Sequence, residues 1–235
     1  LLLGPKMDII TQFPHSIIDE PDMGITLSDG CRLSARVFMP EEAKERPFPA
    51  ILEYIPYRKR DGTIERDEMM HKYFSGRGYV VLRVDMRGSG ESTGLMFDEY
   101  TKEELSDCVE VINWIASQSW CDGNVGSNGV SYLAATQWLG ASENPPHLKA
   151  AIPWEGFNDF YREHVTHGGM PDTNFYREIW GRRMNSQTGF IARDATAEDS
   201  IAEQRNRPLL DDFWRSKHPD LSKINTAILA VASWA

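Results

Sequence analysis

The sequence contains no apolar run approaching the roughly 18 residues that a membrane-crossing helix needs. Cysteine is scarce. Cys31, Cys108 and Cys121 form no CxxC pair, and an odd number gives no disulfide framework, a usage that fits a reducing compartment. No Cys or His pair has zinc-finger spacing, so no metal is expected. Positive charge is also short, with 25 Lys and Arg against 35 Asp and Glu and a net charge of -10. The one basic cluster, Arg58-Lys59-Arg60, runs straight into Asp61, Glu65, Asp67 and Glu68. That balance argues against nucleic acid or an anionic membrane as partner. The opening residues, Leu1 to Met7, are too short for a signal peptide. A cytoplasmic location is the expectation, with Met7 open as an initiator and residues 1–6 as an upstream extension.

What is present is a globular composition, 41% hydrophobic and 26% charged, over 235 residues, enough for one sizeable core with an insertion. Residues 24–39 alternate as a hairpin about Asp29-Gly30. Residues 49–56, 78–85 and 148–154 are short apolar runs of the kind buried in parallel sheets. Helical stretches are expected over 68–76 and over 102–117, where Leu105, Cys108, Val111, Ile112 and Ile115 share a face. Between 156 and 222 the pattern breaks into short helical stretches rich in aromatics, and residues 224–234 read as a further buried strand. The fold class is therefore α/β, a mostly parallel sheet with helices on both faces and an inserted helical cap. The expected division is core over 1–156, cap over 157–222, and a core strand over 223–235. Ligands on such sheets bind at the carboxyl ends of strands, which carry Tyr57, Asp85, Ser131, Trp154 and Trp234.

Chemistry concentrates in Gly123-Asn124-Val125-Gly126-Ser127-Asn128-Gly129-Val130-Ser131-Tyr132-Leu133, a strand, a tight turn and a helix. Such a turn lifts the Ser131 hydroxyl out of the sheet. A serine is a weak nucleophile and needs that fixed exposure together with a base. The glycine-rich loop Gly88 to Gly94 follows a strand, but it is neither GxGxxG nor a lysine-bearing phosphate loop, and no helix starts directly after it. Asp85 and Arg87 read as a local ion pair holding it. His15, His71, His147 and His218 read as surface or cap histidines, while His164 and His167 lie in the cap, where they are candidates to touch substrate.

Residues 120–133, Trp120-Cys121-Asp122-Gly123-Asn124-Val125-Gly126 through Gly129-Val130-Ser131-Tyr132-Leu133, resemble the "WCDGNVG…GxSYxG" block of the cocaine esterase and X-Pro dipeptidyl-peptidase-type serine hydrolases. That family, CocE/NonD, also includes glutaryl acylases and α-amino-acid ester hydrolases. Thr136-Gln137-Trp138 extends the match, and Ala134 stands where the family has its last glycine. The resemblance implies an α/β-hydrolase fold, here its amino-terminal portion, with Ser131 as nucleophile. It implies that the hydroxyl of Tyr57, in Ile55-Pro56-Tyr57, and the backbone N–H of Tyr132 hold the oxyanion. It also implies a triad aspartate in the family's "GWxD", where this chain reads Ser233-Trp234-Ala235, with the base histidine and a jelly-roll domain further on.

The leading expectation is a serine hydrolase cleaving an ester or amide, acyl or X-Pro dipeptidyl, without metal or organic cofactor. Trp154, Phe157, His164 and His167 are candidate substrate contacts, the cap aromatics Phe160, Tyr161, Phe175, Tyr176 and Trp180 line either a pocket or the cap's own core, and Glu155 and Asp159 are candidates to meet a cationic amine. The alternatives are a catalytically silent fragment or ligand-binding domain, because the acid and base are missing from the chain, and a nucleotide-binding oxidoreductase resting on the loop after Asp85.

Overall fold

A computed structural model of the chain describes residues 12–176 and 200–233. The expectations on Leu1 to Met7, Trp180 and Trp234 fall outside the described residues.

The amino-terminal hairpin is β1 (Ile17–Thr26) against β2 (Arg32–Pro40). Asp29 closes its turn by accepting the N–H of Cys31 at 2.8 Å. β1 begins at Ile17 rather than residue 24. Its first half is an exposed edge, bulged between Glu20 and Met23, and an edge pairs through its backbone without needing apolar alternation. Next come β3 (Phe48–Ile55), α1 (Ile64–Gly76), β4 (Val80–Asp85), α2 (Lys102–Ala116), β5 (Cys121–Val130), α3 (Tyr132–Ser142) and β6 (Leu148–Trp154). The segment after β6 holds a wide helical turn (Tyr161–Val165), the two-residue strands β7 (Thr166–His167) and β8 (Met170–Pro171), and the short helices α4 (Ser200–Asn206) and α5 (Asp212–Arg215). It is not purely helical, because Gly168-Gly169, both at positive φ, turn β7 back on β8. β9 (Ala227–Ile228) ends the series.

The sheet order is β1-β2-β4-β3-β5-β6-β9, with β1 and β2 antiparallel to their neighbours and every later pairing parallel. β4 is buried at all of its positions. Successive side chains of β3 point to opposite faces. Leu52 and Tyr54 meet Cys108 and Ile112 of α2 and Leu133 of α3, while Glu53 meets His71 of α1. Helices therefore pack on both faces, as the apolar runs implied.

The α1 face is held by buried charge. Arg83 Nη1 donates to Glu53 Oε2 at 2.8 Å and to Asp67 Oδ2 at 2.9 Å, and His71 Nε2 lies 2.6 Å from Glu53 Oε2. This explains why α1 starts at Ile64 rather than residue 68. Its first turn turns a charged residue inward, which no hydrophobic pattern reports.

The strand expected over 224–234 pairs in parallel with β6 through Ala227 and Ile228, and main-chain bonds to β6 continue from the Leu229 N–H to Ala151, from the Val231 N–H to Pro153 and from the Glu155 N–H to Val231. The three cysteines are buried and free, and burial pushes the Cys108 thiol up to about 12. Among the described residues no helix is long and apolar enough to cross a membrane.

Candidate active site

The direction of strand succession reverses between β3 and β5, which pair side by side. In open α/β sheets the crevice outside the carboxyl ends at such a reversal is where ligands bind. Tyr57 follows β3, and Ser131 follows β5.

Ser131 is the single residue between β5 and α3, at φ 63 and ψ −115. A non-glycine residue held there stores about 1–3 kcal/mol of strain, so the surroundings must enforce it. They do so on every side. The Ser131 N–H donates to the Trp154 carbonyl at 2.9 Å, and the Ser131 carbonyl accepts from Ala134 and Ala135 of α3. Gly129 leaves no room for a side chain, since a Cβ there would overlap Leu133. Gln137 clamps the layer beneath. Its Oε1 accepts the Ser127 hydroxyl and the Ile152 N–H, both at 3.0 Å, while its Nε2 donates to the Gly129 carbonyl at 3.4 Å. Tyr132 to Gln137 are all buried, and Ser131 alone is exposed. The Tyr132 amide belongs to the first turn of α3, where N–H groups point outward and the helix dipole favours negative charge.

Tyr57 stands edge-on to Tyr132, ring centroids 6.2 Å apart. Its loop is tied down by Asp85, the last residue of β4. Asp85 Oδ1 accepts the Lys59 N–H at 2.5 Å, and Oδ2 accepts the Glu91 N–H at 2.9 Å. Burial pushes the Asp85 carboxyl up to about 6, against those two bonds and the Lys59 charge. The Lys59 ammonium, fully buried, pairs with Glu91 and lies 3.5 Å from Asp22. The expected Asp85–Arg87 ion pair is therefore corrected. Arg87 turns the other way, to Asp107 (2.7 Å) and Asp29 (2.8 Å). Asp85 holds main-chain amides of two loops instead.

The remaining candidates separate. Trp154 joins the elbow through its carbonyl. Phe157 and His164 sit together, the His164 ring stacked on Phe157 at 5.2 Å and on Phe160 at 5.3 Å. Burial drives the His164 pKa down to about 4. The cluster continues through Phe157 and Phe160 to Tyr100, whose ring stacks on Tyr132 at 4.3 Å. His167 stays outside it, on β7, 58% exposed and 3.7 Å from Asp172. The other histidines are engaged elsewhere, His15 with Glu42, His71 with Glu53, His147 with the Gly123 carbonyl and His218 near Asp159. Asp159 is also paired with Arg162, whereas Glu155 is exposed at φ 50.

Two participants escape a reading of pattern alone. Glu104, on α2, is buried against the elbow and accepts the Tyr132 hydroxyl at 2.8 Å. The Thr101-x-x-Glu104 spacing of a capping box marks it in the sequence. Gly156 packs on Ala134, and nothing local in the sequence signals that contact.

A seven-stranded sheet of this order, with a strained, exposed serine between strand and helix, defines an α/β-hydrolase. The chain belongs to the X-Pro dipeptidyl-peptidase (S15) family, whose profile matches residues 29–235. Cocaine esterase from Rhodococcus is 36% identical over 139 residues, 59% of this chain and 24% of that protein. A CocE/NonD family hydrolase from Staphylococcus aureus superposes with a TM-score of 0.78 at 40% identity, over 89% of this chain and 40% of that one. An α-amino acid ester hydrolase shares the fold, with a TM-score of 0.67 at 18% identity over 99% of this chain and 45% of that one. The chain spans less than half the length of the curated relatives it matches.

Proposed function

We propose that this chain carries the nucleophile and oxyanion-binding half of a serine hydrolase acting on an ester or amide carbonyl. The observation that carries the reading is Ser131 itself, exposed at positive φ with its own N–H and carbonyl hydrogen-bonded and the helix turn that follows it buried. Ser131 Oγ bonds to the carbonyl carbon while its proton passes to a histidine outside the described residues, which a carboxylate orients. Negative charge develops on the carbonyl oxygen, and the Tyr57 hydroxyl and the Tyr132 N–H stabilise it. Collapse expels the alcohol or amine with that proton, leaving an acyl-Ser131 ester that water cleaves. The family and the similarity to cocaine esterase support an ester or X-Pro amide as substrate. Phe157 packs on Tyr100, which stacks on Tyr132, and His164 stacks on Phe157; this chain of rings supports Phe157 and His164 as the border of the acyl group, whereas His167 is exposed outside it.

The test is fluorophosphonate labelling of the full-length protein. Labelling at Ser131, abolished by Ser131→Ala in a variant that still folds, supports the reading; labelling unchanged in that variant overturns it. The 235-residue chain alone is expected to show negligible p-nitrophenyl ester turnover, since loss of triad members costs up to about a millionfold in kcat.

A further inference from the structure

Beneath the elbow, away from solvent, lies a carboxyl group that the proposed reaction does not use. Glu104 is the third residue of α2, and it is 8% exposed. Its N–H donates to Thr101 Oγ1 at 3.1 Å. Its Oε2 accepts two bonds of 2.8 Å, one from the Tyr132 hydroxyl and one from the main-chain N–H of Tyr100. Tyr100 is itself held at φ 57, and its ring lies on that of Tyr132 with planes 25° apart. One oxygen thus fixes two tyrosines, and one of them is the residue after Ser131.

We propose that Glu104 is the positioning residue of the elbow: by holding the Tyr132 side chain it sets the angle at which the first amide of α3 meets a developing oxyanion. The proposal rests on the reading of Ser131 as nucleophile. The Tyr132 ring and amide share one Cα, and the ring is gripped by Glu104 at its tip, by Tyr100 on its face and by Tyr57 beside it. Ser131 is strained, and a Tyr132 free to turn would let that strain relax by moving the amide. A misplacement of about 1 Å in such a site costs on the order of a hundredfold in rate.

The charge state of Glu104 matters because an anion so close would oppose the oxyanion. The groups around it are Glu103, Asp107 and Cys108 on its own helix, Asp98, Glu99 and Tyr100 before it, Arg87 across the cavity, Tyr54 from β3, Tyr132 from α3, and Lys217 from the segment after α5. Burial pushes its carboxyl up to about 8, with the Tyr132 and Tyr100 bonds and Lys217 acting the other way. That direction favours the protonated, neutral acid at pH 7. Its Oε1 and the Tyr54 hydroxyl have no hydrogen-bond partner among the described residues, and both residues line the same cavity of about 150 Å³ beside α2. A glutamine would reproduce the neutral acid, with its carbonyl accepting both bonds and its amide facing the cavity.

The experiment uses the full-length protein and p-nitrophenyl esters across pH 6–10, with thermal unfolding of each variant as the folding control. Glu104→Ala should lower kcat by about 10- to 100-fold with KM within about twofold, the pattern of an interaction made only in the transition state. Tyr132→Phe should lose a similar amount, and the double variant no more than the worse single one, since the two act as one unit. Glu104→Gln should rescue the Ala loss and abolish the fall in kcat that the parent shows as pH rises through about 8. Unchanged kcat in Glu104→Ala, a loss confined to KM, losses that multiply in the double variant, or an alkaline fall that persists in Glu104→Gln would each overturn the proposal. If Glu104→Ala fails to fold, Glu104→Gln and Tyr132→Phe decide by the same criteria. Labelling that survives Ser131→Ala would remove the underlying reading, and the proposal with it, independently of any Glu104 result.

Discussion

Ala134 and Gly156 are fitted to one another: a Cβ on Gly156 would lie 2.5 Å from the Cβ of Ala134. The family resemblance puts a glycine at position 134. This chain carries the extra methyl on α3 and has bare backbone opposite it, in the segment that follows β6. Gly156→Ala is therefore expected to push α3 and that segment apart, an overpacking cost of about 1–3 kcal/mol. Urea unfolding would measure it. The double variant Ala134→Gly with Gly156→Ala should recover only part of the loss, since that Cβ still lies 3.0 Å from the Ala134 carbonyl carbon and 3.1 Å from the Ala135 nitrogen, and glycine weakens α3.

Tyr57→Phe removes one hydroxyl and leaves the ring where it packs edge-on to Tyr132. In the full-length protein kcat should fall about 100- to 1000-fold, the usual cost of one oxyanion donor. The unfolding midpoint should move little. A rate within threefold of the parent would count against the role.

His164 is held neutral by burial in its aromatic stack, with Asp172 and His167 nearby. Its folded pKa, about 4, lies below the value near 6.5 of an unfolded histidine. The unfolded chain therefore binds the extra proton, and stability present above pH 6.5 is lost as pH falls toward 4, by about 2–3 kcal/mol. His164→Phe keeps the stack and should abolish this acid-side loss in unfolding measurements between pH 4 and 7.

Asp85 titrates with the opposite sign. Its folded pKa, about 6, exceeds the unfolded value near 4, so its contribution is greatest below pH 4 and declines as pH rises through 6. Over this window it opposes the His164 contribution, so the acid-side loss the parent shows is smaller than His164 alone would give. Asp85→Asn should expose the His164 slope, a rise in stability from pH 4 to 6, when unfolding is followed by denaturant titration.

Arg83 holds Glu53 and Asp67 in the α1 face. Arg83→Leu strands two buried carboxylates, and breaking such a pair costs about 3–5 kcal/mol. Thermal unfolding should show a large fall, with α1 the first element to lose amide protection.

The strands were legible wherever burial on both faces writes a continuous apolar run, as in Val80 to Val84. The elbow was legible because a strained turn leaves glycine at 129 and alanine at 134 and 135. What pattern could not report was polar and buried. Glu53, Asp67 and Arg83 look like surface residues until the fold brings them together from three elements. Asp85 seemed to belong with Arg87 by proximity along the chain, yet β4 ends at Asp85 and Arg87 lies in the turn beyond it, and each found its partner across space.

The Asp85 clasp bears on the loop that looked like a nucleotide site. A glycine-rich turn after a parallel strand commonly gathers its amides around an anion taken from solution. In this chain the Glu91 amide and the facing Lys59 amide already close on a carboxylate supplied by the strand itself. The anion is covalently built in and cannot dissociate, so the loop needs no ligand to acquire its shape. The ordering that phosphate-binding proteins draw from their cofactor is completed here during folding, and Tyr57 is in place before any substrate arrives.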